Sequence, residues 1–186
     1  TLSKNIRVLP KRSDGSAVYN GSAITSARYM FLNYYKLEAI DGLEMSDCTD
    51  YFCFCQNNQS LKRTCLFDTS KATNFNAMYS GCNLETLPAY NTSNVTNFSS
   101  MLQSNFRLKN VPILDTSNAE NMSGMFSNCN QFTDESLNNI LQMCINATKI
   151  TTKTLKYIGF TSYVANKCLT LSNYQAFLDA GWTTGY

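Results

Sequence analysis

Residues 115–126 read DTSNAENMSGMF, and two earlier stretches say nearly the same thing: NTSNVTNFSSML at 91–102 and DTSKATNFNAMY at 68–79. The steps between them are 23 and 24 residues, and the same interval leads back to weaker copies starting near Tyr19 and Leu43. A serine column runs through all five copies as Ser22, Ser46, Ser70, Ser93 and Ser117. An apolar column follows (Met30, Phe54, Met78, Met101, Met125), and a second comes after it (Leu37, Leu61, Leu84, Leu108, Phe132). Columns that hold register at a fixed period mark a stacked repeat, because a single unit cannot bury its own apolar face.

Within one unit, Val95, Phe98, Met101, Leu102 and Asn105 fall at the three- and four-residue spacing of one helix face. Ser93 stands where an N-cap belongs, with its oxygen placed to accept from first-turn amides. Ser117 with Glu120 has the spacing of a capping box. Asn33, Asn57, Gly81, Ser104 and Asn128 share the column where such a helix would stop, and Asn and Gly tolerate the left-handed conformation found there. The spacing therefore predicts a helix of about 11 residues, roughly 16 Å long, in each unit. RLKNVPIL (107–114) and NLETLPAY (83–90) then read as short strands. The expected fold is α/β: a right-handed, leucine-rich-repeat-like solenoid with one short helix and one short parallel strand per 24 residues or so. Residues 1–18 form a lead-in, 19–137 five repeats and 138–186 a helical C-terminal cap. Within the cap and just before it, TDESLNNILQMC (133–144) carries a cap-like Thr-Asp, and LSNYQAFLDAGW (171–182) is capped by Ser172 and stopped by Gly181.

LPAYNTSNVTNFSSML (87–102) and VPILDTSNAENMSGMFSNCNQF (111–132) resemble the BspA-like leucine-rich repeats, the DUF285 or Mycoplasma-lipoprotein type. The resemblance covers about residues 67–132 well and 19–66 loosely. It implies adhesion by a bacterial surface protein, or a structural role in a phage or prophage particle. SNYQAFLDAGWTTGY (172–186) is similar to the ends of phage proteins with this repeat, so a virion is the expected location and a bacterial cell surface the alternative. Because the chain opens on Thr1, it is expected to be part of something longer.

Composition narrows the function. Apolar content of 44% with 15% charge fits a folded chain. A net charge of +2 gives no case for nucleic acid. No apolar run has transmembrane length, so membrane insertion is not expected. The absence of histidine removes the usual general base and the Ser-His and Cys-His pairs. Asp41 and Glu44 form a close carboxylate pair, which reads as solvated polar surface. The expectation is no enzyme and no cofactor. Sequons at Asn91, Asn94, Asn97 and Asn121 are what an Asn/Ser/Thr-rich repeat produces.

Eight cysteines invite a disulfide framework, but the register argues against one. Cys82 and Cys129 share a column two units apart, about 10 Å at the ordinary strand spacing, beyond the reach of a disulfide. Cys48, Cys53, Cys55 and Cys65 lack the paired spacing of a zinc site, so no metal is expected. Cys144 with Cys168 is the best-placed disulfide pair.

Binding is expected on the strands. The outward columns there are Glu38, Lys62, Glu85 and Lys109, then Ala39, Arg63, Thr86 and Asn110, then Gly42, Leu66, Ala89 and Ile113. Leu66 and Ile113, rimmed by Lys62, Arg63, Lys109 and Asn110, form the candidate ligand site, since exposed apolar groups with polar rims mark interaction surfaces. The expected partner is a host cell-surface receptor, protein or glycan, or another virion protein. A rival expectation is a spacer or decoration without a ligand. Homo-oligomerisation through the N-terminal region of a longer chain is a further expectation.

Overall fold

A computed structural model of the chain describes residues 4–152 and 156–184. Residues 1–3 of the expected lead-in, and 153–155 and 185–186 of the expected cap, lie outside the described residues. The repeats lie side by side in parallel register, and each contributes one rung to two ladders. On the strand side, β1 (Val8–Leu9), β3 (Ala39–Ile40) and β5 (Arg63–Thr64) pair in that order. The bridge Thr86↔Asn110 continues the series. Beside them β2 (Tyr19–Asn20) pairs with β4 (Leu43–Glu44). On the opposite side, bridges link Ser26, Asp50, Asn74, Asn97 and Asn121 in sequence.

The helix expected in each repeat does not form: among the described residues, α-helix occurs only from Asp134 onward. Two left-handed residues per repeat break it. The anticipated stop column has positive φ throughout (Asn33, Asn57, Gly81, Ser104, Asn128), and a second column four residues earlier does too (Tyr29, Cys53, Ala77, Ser100, Gly124). A right-handed helix cannot pass through a left-handed residue. The backbone instead makes tandem turns. The N–H groups of Phe75, Ala77, Tyr79 and Gly81 donate to the carbonyls of Asn97, Ser99, Met101 and Gln103 in the next rung, at 2.8–2.9 Å. The alternate N–H groups of Met78, Ser80 and Cys82 fold back on Phe75, Ala77 and Tyr79. Such turns also return inward every three to four residues, so Val95, Phe98, Met101, Leu102 and Asn105 are buried as the spacing predicts.

The recurring phrase now has a residue-by-residue account. Asp68, Asn91 and Asp115 accept the N–H groups of Ser70, Ser93 and Ser117 through their side chains, closing Asx turns. The Ser93 and Ser117 hydroxyls donate to the same oxygens, at 2.9 and 2.7 Å. The serines therefore donate and do not act as N-caps, because no helix follows; Glu120 closes no capping box for the same reason. Thr69, Thr92 and Thr116 are buried and donate forward to the carbonyls of Asn91, Asp115 and Met143. Asn94 and Asn118 donate backward to the carbonyls of Ser70 and Ser93. Each phrase is thus tied to itself and to both neighbours.

The core is one cluster holding Phe75, Phe98, Met78, Met101, Met125, Leu84 and Leu108. One buried column alternates amide and thiol: Asn58, Cys82, Asn105, Cys129. Their side chains donate to a matching column of carbonyls in the preceding rung, those of Phe31, Cys55, Tyr79 and Leu102. Asn105 also accepts the N–H of Leu84, so its carbonyl oxygen is satisfied as well.

Beyond the repeats come α1 (Asp134–Asn146), α2 (Ser162–Cys168) and α3 (Tyr174–Asp179). Thr133 caps α1 by accepting from the N–H of Ser136. Ser172 caps nothing; Asn173 holds the N-cap place of α3 without a side-chain bond, and Gly181 follows with φ +80°. The region is not helical throughout, because it adds rungs of its own. Gly124 N–H donates to Tyr157 O at 2.9 Å, and Tyr157 bridges in parallel to Thr183.

Candidate functional site

Leu66, Ala89 and Ile113, each three residues past the paired rung position, form one outward column over three successive rungs, and Leu66 and Ile113 remain 63% and 54% exposed. Asp68, Asn91 and Asp115, two residues further on, make the next outward column and are exposed too. Lys62 and Lys109 are exposed at the other edge, flanking Glu85 in the rung between them, and neither is in an ion pair among the described residues. Asn110 is exposed beside Lys109. Arg63 is exposed but engaged, since its Nε and Nη2 grip the Asp41 carboxylate at 2.8 Å each. That leaves its guanidinium less free for a partner than Lys62 or Lys109.

Two residues expected to face outward do not. Ala39 is fully buried, and Gly42 is buried against the lead-in, where an added Cβ would come within 2.6 Å of Pro10 O. β1 pairs edge to edge with β3, and Pro10 and Ala17 beyond it close on Gly42, contacts distant in sequence that repeat spacing does not encode. The open face therefore begins at the rung of β5 and runs toward Ile113.

The concave part of this face lies on its acidic flank. A cleft of about 360 Å³ reaches from the turn at Lys11–Ala17 to Leu66, Phe67 and Asp68. A shallower hollow of about 350 Å³ continues from the same three residues to Ala89 and Asn91. Asp68 is held below the usual carboxylate range, chiefly by the Ser70 N–H. Asp115 is lowered chiefly by the Ser117 hydroxyl. Both carry full negative charge at neutral pH. Sequence reasoning missed these acids because it assigned them to the repeat phrase. The signal was present, for they stand two residues after Leu66 and Ile113 and so share their side.

The cysteines are free thiols, and the best-placed candidate pair, Cys144 and Cys168, forms no disulfide. Both pack as small apolar groups within the C-terminal core. Burial pushes the Cys82 and Cys129 thiols up to about 12 and Cys168 up to about 11, which keeps them protonated at neutral pH. Among the described residues no three His, Cys, Asp or Glu side chains gather to hold a metal ion. No helix there is long and apolar enough to cross a membrane.

The family model described as "Mycoplasma protein of unknown function, DUF285" matches residues 46–157, more than half of the chain. The chain belongs to the DUF285 family. No curated protein and no solved structure matches it. The DUF285 match takes in the whole exposed column Leu66, Ala89 and Ile113 with the acids beside it. It leaves out the turn at Lys11–Ala17 that closes the cleft.

Proposed function

We propose that this chain is a non-enzymatic recognition module, a right-handed leucine-rich-repeat-like solenoid that presents its strand-side face to a partner on another cell or particle. The observation that carries the reading is the exposed apolar column Leu66, Ala89 and Ile113, rimmed by charge and standing on a rigid ladder. Exposed apolar surface with a polar rim is characteristic of interaction sites. The lack of histidine and the protonated thiols support a role without catalysis. Of the settings that the resemblance implied, we take adhesion by a bacterial surface protein as the first and a place in a phage particle as the second; the matching family's description names a bacterial genus. The ligand is a host surface protein or glycan. Whole-cell binding by the isolated chain tests this, with Lys62→Glu plus Lys109→Glu as the variant. The wild-type chain binds and the variant binds at least about tenfold less, as loss and reversal of two exposed charges would produce. A chain that bound no cell or glycan would be a spacer.

A further inference from the structure

At the corner where the turn side passes into the strand side, one rung is built small. Two columns end the turns there: Gln56, Ser80 and Gln103, then Asn57, Gly81 and Ser104. The middle rung holds the smaller residue of each column or an equal to it, and the ladder of Asn side chains is cut at the same place. Asn57 Nδ2 donates to Asn33 Oδ1 at 3.2 Å and Asn128 Nδ2 to Ser104 Oγ at 3.4 Å, but Gly81 has no side chain to join the two pairs. A hollow of about 520 Å³ opens over it, a size that suits a small-molecule ligand. A third column, Gln59, Asn83 and Phe106, lines the hollow over the same three rungs.

The chemistry of the lining is particular. It carries no charged side chain, so an ionic ligand would find nothing there to offset its loss of water. Phe106 is 55% exposed, and the negative face of its ring attracts the weakly positive hydrogens of C–H groups. The side-chain amides of Gln59 and Asn83 have no partner among the described residues. Each offers a donor and an acceptor side by side, which adjacent hydroxyls match. Ser80 is only 7% exposed and its hydroxyl has no partner there either, although a buried polar group ordinarily has one. We propose that this hollow binds a neutral pyranose sugar, with its C–H face on Phe106 and its hydroxyls bonded by Asn83, Gln59 and Ser80. Adjacent rungs stand about 4.8 Å apart, so a ring resting on Phe106 brings its hydroxyls to Asn83. The site lies apart from the Leu66–Ala89–Ile113 column and does not depend on the strand-side reading.

The probes are the methyl glycosides of glucose, galactose, mannose and N-acetylglucosamine, with that of glucuronic acid as the charged control. Binding to the whole chain is read by saturation-transfer NMR. At least one neutral glycoside binds with a Kd on the order of 1 mM, and the glucuronide binds at least about tenfold more weakly. Disaccharides ending in the preferred sugar show its source. Affinity equal to the monosaccharide's marks a site for a single free ring, and a gain of about tenfold marks the end of a glycan chain. Phe106→Ala weakens binding about tenfold. Gly81→Asn fills the gap and weakens it as much. That variant folds, because Asn already holds the same left-handed position at Asn33, Asn57 and Asn128, and the new Cβ meets only the movable end of Asn57. Leu66→Glu plus Ile113→Glu binds the glycoside like the wild-type chain, even where it loses cell binding. No binding of any neutral glycoside, equal binding of the glucuronide, or affinity unchanged in both Phe106→Ala and Gly81→Asn would overturn the proposal. So would glycoside binding lost in Leu66→Glu plus Ile113→Glu, which would move the sugar to the strand side.

Discussion

The two sides of the ladder spend their polar groups differently. On the turn side, the Thr49, Thr73 and Thr96 hydroxyls donate to the carbonyls of Thr25, Thr49 and Thr73, each one rung back. Asn74 donates to Asp50, and Asn97 and Asn121 close turns on Ser99 and Ser123. Arg28 is held by Asp50 and lies 4.3 Å over the Phe52 ring. The side chains there are alike from rung to rung and satisfy one another, so little is left for a partner. On the strand side, Lys62, Lys109, Leu66 and Ile113 face water without such ties. On the proposed reading the two sides divide their labour: one holds the rungs together, and the other is free to vary and to bind.

That comparison supposes that both sides stand on one rigid frame, and the largest predicted effect would break the frame. Asn105→Ala leaves the N–H of Leu84 buried without a partner and takes one bond each from the carbonyls of Tyr79 and Leu102, which keep the Cys82 N–H and the Cys129 thiol. Its cost is about 2–4 kcal/mol, measured by urea denaturation, since the orphaned buried N–H costs about 1–3 kcal/mol and each lost bond about 0.5–1.5 kcal/mol. A loss below about 1 kcal/mol would mean that the Asn-Cys column is not what joins the rungs. Thr116→Val, which removes one buried hydroxyl bonded to Met143 O at 2.6 Å, should cost about 1–2 kcal/mol in the same assay. Because that bond ties the last phrase to α1, the variant also reports how firmly the helical end is seated.

The smallest effect sharpens the strand side. The carboxyls of Asp68 and Asp115 titrate below their ordinary value of 3.8 in the folded chain. The unfolded chain therefore takes up these protons first as pH falls. The stability they contribute is full above the ordinary value and is lost as pH drops through the folded one. Asp68→Asn plus Asp115→Asn should flatten the fall of melting temperature below about pH 4 and leave the neutral-pH value little changed. An unaltered acid limb would place the acid sensitivity elsewhere.

The repeat was legible because it rests on columns. Met78, Met101 and Met125 are buried where their register put them, and the Asn33–Asn128 column is left-handed as its Asn and Gly content indicated. The backbone between those columns was not legible. Three- and four-residue spacing suits a helix and a run of tandem turns equally, and nothing in Ala77 or Ser100 announces a positive φ, which such residues seldom adopt. The candidate face was half legible. Leu66 and Ile113 are exposed as their alternation implied, whereas the pairing of buried Ala39 with Val8 of β1 is a contact between distant segments. The engagement of Arg63 by Asp41 lay equally beyond local pattern.

The claim that binding belongs to the strand side is tested most directly by pairing one variant from each side in the same cell-binding assay. Leu66→Glu plus Ile113→Glu places two charges on the exposed apolar column, and Thr73→Glu places one on the turn side. The account predicts that the first variant loses binding with its melting temperature unchanged, while the second binds like the wild-type chain. Loss of binding in Thr73→Glu with full binding by the Leu66→Glu plus Ile113→Glu variant would contradict it.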